Sequence, residues 1–206
     1  MTPNALDRLV ALFSKLPGIG KKSAGRIVYH ILDASPALAE SLAKELSELH
    51  HAIRRCGICG GFTEIDPCSV CSDPERDHSV ICVVESAQDI RIIEAAREFP
   101  GVYHVLGGLI APLDGVGPAN LSIEKLLSRL RGDTQATIKV GEKVVELILA
   151  LNPTIEGDTT ALYLQKQLKD FPIEVTRLAS GMPVGGNIEY IDKLTLSRSF
   201  RGRVKV

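Results

Sequence analysis

Residues 56–71, which read CGICGGFTEIDPCSVC, divide the chain into two parts with different hydrophobic patterns. The stretch contains two Cys-x-x-Cys pairs, formed by Cys56 with Cys59 and by Cys68 with Cys71. Two thiolates from each pair can complete a tetrahedral zinc site, and the glycines between them permit tight turns. Because four protein ligands close the site, we predict one structural Zn²⁺ per chain. We expect its removal to loosen residues 56–78 and to leave the following domain intact.

Two other uses of clustered cysteines are weaker interpretations. Disulfides are rare in cytosolic proteins, and a thioredoxin-like redox pair normally lies between a strand and a helix. Three histidines lie nearby in the sequence, His50, His51 and His78. Because the four cysteines already supply the four ligands that zinc needs, we expect these histidines at the surface. Cys82 lies in the apolar run that follows, where we expect a buried structural thiol.

The chain before the cysteines has the 3.6-residue period of amphipathic helices. Two apolar stripes follow this period: Leu6, Leu9, Val10, Phe13 and Leu16 form the first, and Ala24, Ile27, Val28 and Ile31 form the second. Ser35 and Pro36 have the residue types of an N-cap and a first helical position. They predict a third helix whose apolar face continues as far as Ile53.

A glycine-rich turn, LPGIGKK at residues 16–22, joins the first two predicted helices. Its two glycines permit a tight turn that leaves the first N–H groups of the second helix free to bind a DNA phosphate. The pattern resembles a helix-hairpin-helix motif, which binds DNA independently of sequence. We predict five DNA-contacting residues here: Gly18, Gly20, Lys21, Lys22 and Arg26. A plain turn between packed helices is the alternative, whereas the Gly-Lys-Ser order of a nucleotide-binding P-loop is absent.

After residue 79 the pattern changes to alternating apolar strands and helices. Four strands are predicted, at 80–84, 102–106, 144–149 and 173–177, with helices near 90–97, 122–130 and 159–168. Such alternation is typical of a mostly parallel sheet covered on both faces, with its functional edge at the carboxyl ends of the strands. We therefore predict an α/β domain here and an α+β, multi-module fold for the whole chain.

Three acidic residues follow strand ends at this edge, and we call them the acidic edge. Glu85 comes directly after the first strand, and Glu156 and Asp158 come after the third. The arrangement resembles a Toprim domain, in which such acids hold Mg²⁺ and assist phosphoryl transfer. The second motif reads Glu-Gly-Asp where that class has Asp-x-Asp, which argues against catalysis but leaves weak Mg²⁺ binding open. Solvated acids without a function are the alternative.

The order of the modules resembles one known family. A helix-hairpin-helix motif, a four-cysteine zinc finger and a Toprim domain follow one another as in the RecR family of recombination mediators, almost from end to end. Two long strings carry the same resemblance. Residues 103–118, YHVLGGLIAPLDGVGP, are similar to that family's loop after the second Toprim strand, and residues 177–192, RLASGMPVGGNIEYID, are similar to its C-terminal segment.

The resemblance implies a function that residue spacing does not show. RecR proteins are non-enzymatic and form ring-shaped tetramers that can surround duplex DNA. With RecO, and in some pathways RecF, they help to place RecA on single strands coated by SSB. The Toprim edge contributes to partner binding there, and the C-terminal segment is Walker B-like, but this sequence has no Walker A and we expect no ATPase. The alternative function is a small Mg²⁺-dependent Toprim nuclease with Glu85 as general base.

The pattern and the resemblance divide the chain into four predicted segments. They are the helix-hairpin-helix region at 1–55, the zinc finger at 56–78, the Toprim domain at 79–175 and a C-terminal segment with a basic tail at 176–206. Residues 1–55 carry a net charge of +3 and residues 191–206 one of +4, although the whole chain carries −1. Basic ends fit contact with a polyanion, and ordinary surface variation is the alternative.

The last residues fit a strand or arm that packs on a neighbouring subunit, because Leu194 and Leu196 precede a basic tail. That tail contains Arg198, Arg201, Arg203 and Lys205. No apolar run reaches the length of a membrane span, and Asp7 and Arg8 stand where a signal peptide needs an apolar core. We therefore expect a cytoplasmic, nucleoid-associated protein.

Overall fold

The computed structural model describes residues 4–132 and 143–204. The chain divides into two compact units, residues 1–53 and residues 54–206. Lys205 of the predicted basic tail lies outside the described residues. Among those that are described, no helix is long and apolar enough to cross a membrane.

The N-terminal unit contains three helices, α1 (Ala5–Phe13), α2 (Lys21–Asp33) and α3 (Pro36–Ala52). Helix α1 packs on α2, and the predicted apolar stripes lie on these helices except for Leu16, which follows the end of α1. Few of their side chains are covered, however. Among the described residues of this unit, only Ala24 and Val28 are buried.

The second unit begins with a small zinc-finger layer. It consists of the antiparallel strands β1 (Arg54–Arg55) and β2 (Phe62–Thr63), followed by the four-residue helix α4 (Ser69–Ser72). The cysteines lie in the turn between the two strands and around α4.

The main element of the second unit is a four-stranded parallel sheet in the order β4–β3–β5–β6. Its strands are β3 (Asp77–Val84), β4 (Gly101–Val105), β5 (Glu146–Ala150) and β6 (Glu174–Arg177). Between them in sequence lie the helices α5 (Ala87–Ala96), α6 (Ile123–Arg131) and α7 (Ile155–Gln167). The predicted alternation of strands and helices and the parallel sheet are confirmed.

Alternate residues of the central strand β3 serve two different cores. Ile81 and Val83 belong to a cluster that includes Leu126 of α6 and residues of α7. Cys82 and Val84 belong to a second cluster that contains the zinc-finger cysteines. Because both faces of the strand are covered, its sequence is a continuous apolar run instead of an alternating one.

The described chain ends with the helix α8 (Lys193–Arg201). The Asp192 carboxylate caps this helix by accepting hydrogen bonds from the amides of Leu194 and Thr195, at 2.9 and 3.0 Å. The prediction of a strand at Leu194 and Leu196 is therefore wrong, whereas an arm that packs on a neighbouring subunit stays a prediction. An N-cap aspartate satisfies the first N–H groups of a helix, and that local signal decides the conformation here.

Candidate metal centre, nucleic-acid interface and acidic edge

The four cysteines of the two Cys-x-x-Cys pairs form one buried cluster. The sulfurs of Cys56, Cys59, Cys68 and Cys71 all lie within 4.8 Å of one another. The Sγ atoms of Cys59 and Cys68 are 3.6 Å apart, too far for a disulfide, and all four cysteines are free. A tetrahedral zinc site with Zn–S bonds of about 2.3 Å separates its sulfurs by about 3.8 Å. The cluster therefore fits Zn²⁺.

Backbone amides around the cluster favour the thiolate form of the cysteines. The amide of Gly61 donates to Sγ of Cys59 at 3.3 Å, and the amide of Cys68 donates to Sγ of Cys56 at 3.4 Å. Such amide–sulfur hydrogen bonds are the outer-shell contacts that orient metal ligands. Gly60 has φ of 77° in the first turn, a conformation that favours glycine.

Without a metal the cluster does not exist as four thiolates. The hydrogen bond with Cys68 and burial raise the pKa of Cys59 to about 12, while hydrogen bonds from Cys59 and Cys71 hold the pKa of Cys68 far below its ordinary value. Hydrogen bonds from its neighbours thus stabilise the thiolate of Cys68. Because zinc binds thiolates, its binding releases the remaining protons.

The zinc finger is packed directly against the sheet. Cys82, Tyr103 and Val105 of β3 and β4 share one apolar cluster with the four cysteines. Strand β4 is at the edge of the sheet, and the amide of Val105 donates to the carbonyl of Cys59 at 2.8 Å. The finger therefore covers an edge that would otherwise be open to pairing with other chains.

The remaining cysteine, Cys82, and the nearby histidines are not members of the four-cysteine metal cluster. Cys82 is 2% exposed, and burial raises the pKa of its thiol to about 12, which agrees with a structural thiol. His50 and His51 are exposed on α3, as expected. His78 is buried, contrary to the expectation, and its Nε2 lies 3.1 Å from the carbonyl oxygen of Asp73.

The N-terminus of α2 is the candidate nucleic-acid interface. Gly18 has φ of 76°, and Gly20 is the N-cap, so no side chain caps the helix. The first N–H groups of a helix have no partner within it, and the positive end of the helix dipole lies there. The side chains of Lys21, Lys22 and Arg26 are all exposed beside this end.

The acidic edge does not assemble into a ligand group. Across residues 4–132 and 143–204, the only three or more potential metal ligands within 4.8 Å of one another are the cysteines. Glu85 accepts a hydrogen bond from the side-chain amide of Asn152 at 2.7 Å. Helix α7 begins at Ile155, earlier than predicted, so Glu156 and Asp158 lie in its first turn and not in a loop.

Asp158 is held by two arginines from later parts of the chain. Arg177, at the end of β6, pairs with one carboxylate oxygen at 2.6 Å, and Arg198 of α8 pairs with the other at 3.1 Å. Arg198 also donates to the carbonyl of Pro153 at 3.3 Å. Asp158, which the sequence suggested as a Mg²⁺ ligand, thus already has two cationic partners. Arg198, which was predicted to belong to a basic tail, instead contacts the edge of the sheet.

Comparison with known proteins accounts for almost the whole chain. Family models match residues 6–50 (RecR, helix-hairpin-helix), 53–73 (RecR, four-cysteine zinc finger domain), 79–179 (Toprim domain) and 181–204 (RecR, C-terminal). Recombination protein RecR of Treponema denticola is 53% identical over 202 residues, which cover 98% of this chain and 99% of that protein. The chain belongs to the RecR family.

Other members of the RecR family are similar over the same length. Recombination protein RecR of Treponema pallidum is 52% identical over 97% of this chain and 94% of its own. That of Moorella thermoacetica is 49% identical over 98% and 96%. Membership places the chain in recombination and DNA repair. The match to the family's four-cysteine zinc finger, together with the cysteine cluster, confirms the predicted structural Zn²⁺.

Sequence reasoning missed three groups of polar residues in this member of the RecR family. The first is the pair of arginines that hold Asp158, and the second is Arg76, which pairs with Glu94 between the zinc finger and α5. The third is Arg129, buried on α6. A signal for Arg129 was present, because it lies three residues after Leu126 on an otherwise apolar helical face. The other pairs join distant parts of the chain and had no local signal.

Proposed function

We propose that this chain is a non-enzymatic, DNA-binding recombination mediator. The observation that carries the proposal is the start of α2, where an uncapped helix end follows the left-handed Gly18 and three exposed cations lie beside it. Free N–H groups at a helix N-terminus bind phosphate and read no bases. We therefore expect duplex DNA to bind with little sequence preference.

The test replaces Lys21, Lys22 and Arg26 together by alanine. Each lost phosphate contact lowers the slope of log affinity against log salt by about 0.9, so the triple variant should bind more weakly and depend less on salt. The loss should be similar on unrelated duplex sequences, as measured by fluorescence anisotropy at several salt concentrations.

A matched control removes the same charge from the other unit. Arg91, Lys166 and Lys169 are exposed there, and replacing them together by alanine should change affinity much less. If the first triple variant binds as tightly as the wild type, the DNA site is not at α2, and the basic residues of α8 become the next candidates.

The partners that we propose are those of the family resemblance. RecO, and in some pathways RecF, would bind the chain directly, and RecA and SSB would be involved through the loading of RecA on coated single strands. The exposed Glu156 and the half-exposed Glu85 support a charged docking surface. Charge complementarity of that kind governs partner choice and association rate more than affinity.

A closed homo-oligomer, a dimer or a ring-shaped tetramer, is part of the same proposal. Helix α3 has no buried residue, and its apolar face exposes four leucines: Leu38, Leu42, Leu46 and Leu49. A contiguous apolar face on a helix marks an interaction surface, and closed symmetric assembly is the usual use of such a face between identical chains. Solution mass measured with and without DNA tests this, and a monomer in both conditions would contradict the ring.

The second candidate function is a small Mg²⁺-dependent nuclease, which the Toprim match favours. The pairing of Asp158 with two arginines supports the mediator instead, because Mg²⁺ would have to displace both cations. With Mg²⁺ and plasmid DNA, wild-type protein should cut nothing. Alanine at Glu85, Glu156 or Asp158 should weaken RecO binding and strengthen DNA binding. Cleavage by pure wild-type protein that is lost in Glu85→Ala would favour the nuclease.

A further inference from the structure

Arg129 is the only lysine or arginine that is buried in the part of the chain that the structure describes. Its side chain is 4% exposed on α6. Nη1 donates to the carbonyl of Tyr103 at 2.7 Å, whereas Nε is buried without a hydrogen-bond partner. A buried charge without a counter-charge is costly. No carboxylate in residues 4–132 or 143–204 forms an ion pair with this guanidinium.

The guanidinium reaches the place where the zinc finger meets the sheet. Tyr103 belongs to the same apolar cluster as the four cysteines, and its carbonyl points from the edge strand β4. Two residues further along this strand, the amide of Val105 binds the carbonyl of Cys59. Arg129 and the zinc finger therefore share one strand edge.

The cysteines are also the negative groups that act on this cation. Burial lowers the pKa of Arg129, and the cysteines of the zinc finger, Cys71, Cys59, Cys56 and Cys68, act in the opposite direction. Tyr103, whose carbonyl accepts the hydrogen bond from Arg129, lies in the same apolar cluster as these cysteines.

The charges of the two sites are complementary when zinc is bound. Zn²⁺ with four thiolates carries a formal charge of −2, which in a buried site requires hydrogen-bond donors or cations around the sulfurs. Amides such as those of Gly61 and Cys68 donate to sulfurs, but an amide carries no full charge. When zinc leaves, the sulfurs take up protons, so the negative charge beside the arginine decreases while the arginine stays charged.

We propose that Arg129 is a positioning residue of the zinc centre, the counter-cation of the tetrathiolate at the edge of β4. Zinc then stabilises more than residues 56–78, because its loss weakens the negative charge that offsets buried Arg129 on α6. The sequence predicted that zinc removal leaves the Toprim domain intact. We now expect zinc removal to lower the stability of the Toprim sheet as well. This inference does not depend on DNA binding.

The test is a thermodynamic cycle between Arg129→Met and zinc. Methionine removes the charge and keeps a long side chain. In the zinc-loaded protein, Arg129→Met should lower zinc affinity about tenfold, measured by competition with a chelator, which corresponds to about 1.4 kcal/mol. In zinc-free, reduced protein the same variant should unfold at the same or a higher urea concentration than the wild type, because the variant removes a buried charge that is then only weakly offset.

Two further variants separate charge from packing. Arg129→Lys keeps the charge and should recover part of the zinc affinity. Arg131→Met removes an exposed arginine from the same helix and should leave zinc affinity unchanged. If Arg129→Met loses the same stability with and without zinc, and binds zinc as the wild type does, the residue only holds the carbonyl of Tyr103 and the proposal is wrong.

A measurement on the wild-type chain covers the case in which Arg129→Met does not fold. Zinc is removed by a chelator under reducing conditions, and amide hydrogen exchange is followed along the chain. We expect amides of β4 and α6 to lose protection together with residues 56–71. Loss confined to residues 56–71 would overturn the proposal.

Discussion

The two units of the molecule use their leucines in opposite ways. In the unit that joins the zinc finger to the Toprim sheet, Leu126, Leu147 and Leu164 are fully buried. On α3 of the N-terminal unit, Leu46 is 64% exposed and Leu49 is 50% exposed. Both sets follow a regular apolar pattern in the sequence. The difference teaches that periodicity locates an apolar face, whereas only a neighbouring element determines whether that face is covered.

The same contrast separates what the units can do. The sheet unit has its own core on both faces and can hold the zinc centre and the acidic edge without a partner. The helical unit has little core, an exposed basic helix end and an apolar face. It is therefore the unit in which we expect contact with DNA and with a second copy of the chain.

The largest expected effect compares two leucine-to-alanine changes. Leu126→Ala removes a fully buried side chain and should lower the free energy of unfolding by about 3 kcal/mol. Leu46→Ala, on the exposed face of α3, should change it by less than about 0.5 kcal/mol. Urea unfolding of both variants at low protein concentration measures the difference. Equal losses would contradict the contrast between the units.

Alanine substitutions at two helical glycines, Gly157 and Gly25, should change the stability of the protein in opposite directions. A Cβ at Gly157 in α7 would lie 1.9 Å from the carbonyl oxygen of Asn152, so Gly157→Ala must displace that turn and should cost about 2 kcal/mol. A Cβ at Gly25 in α2 would meet nothing within 4 Å, so Gly25→Ala should gain about 0.5 kcal/mol through helix propensity. Thermal unfolding compares them. Stabilisation by Gly157→Ala would show that the close approach is absent.

Gly157→Ala should also disturb the hydrogen bond that Glu85 of the acidic edge accepts. Asn152, the residue that must move, donates its side-chain amide to Glu85. The glycine in the Glu-Gly-Asp motif thus has a structural reason, the close passage of the Asn152 backbone.

The smallest of these effects concerns an ion pair and its pH dependence. Arg76 and the hydroxyl of Tyr103, at 2.6 Å, both donate to Glu94, and the hydrogen bond from Arg76 lowers the pKa of this carboxyl. A lowered folded-state pKa contributes stability above the ordinary value of 4.5, and that contribution is lost as pH falls through the folded pKa. Glu94→Gln should cost about 1 kcal/mol at pH 7 and progressively less below pH 4.5, as measured by urea unfolding at several pH values.

The matched change for this ion pair is Glu45→Gln, on exposed α3. It should alter stability little at any of these pH values, because an exposed carboxylate contributes almost nothing to folding. A difference between Glu94→Gln and wild type that grows as pH falls would contradict the expected sign.

Much of the fold was predictable because its signals are local. Cys56, Cys59, Cys68 and Cys71 bind one metal ion because of their thiolate chemistry and their short spacing along the chain. Both properties are visible in the sequence. The order of strands and helices after residue 79 follows from hydrophobic period. The turn at residues 16–22 follows from its glycines, since Gly18 adopts the conformation that other residues avoid.

Tertiary structure decided which partner each charged residue has. Asp158 is paired with Arg177 and Arg198, and Arg129 donates to the carbonyl of Tyr103 on the strand that contacts the zinc finger. The exposed leucines of α3 likewise have a pattern, but none of the described residues of the chain buries them. Short-range geometry can be read from neighbouring residues, whereas burial and charge pairing depend on which distant elements the packing brings together. The sequence therefore determined the modules of this protein, and only packing determined how its charges are balanced.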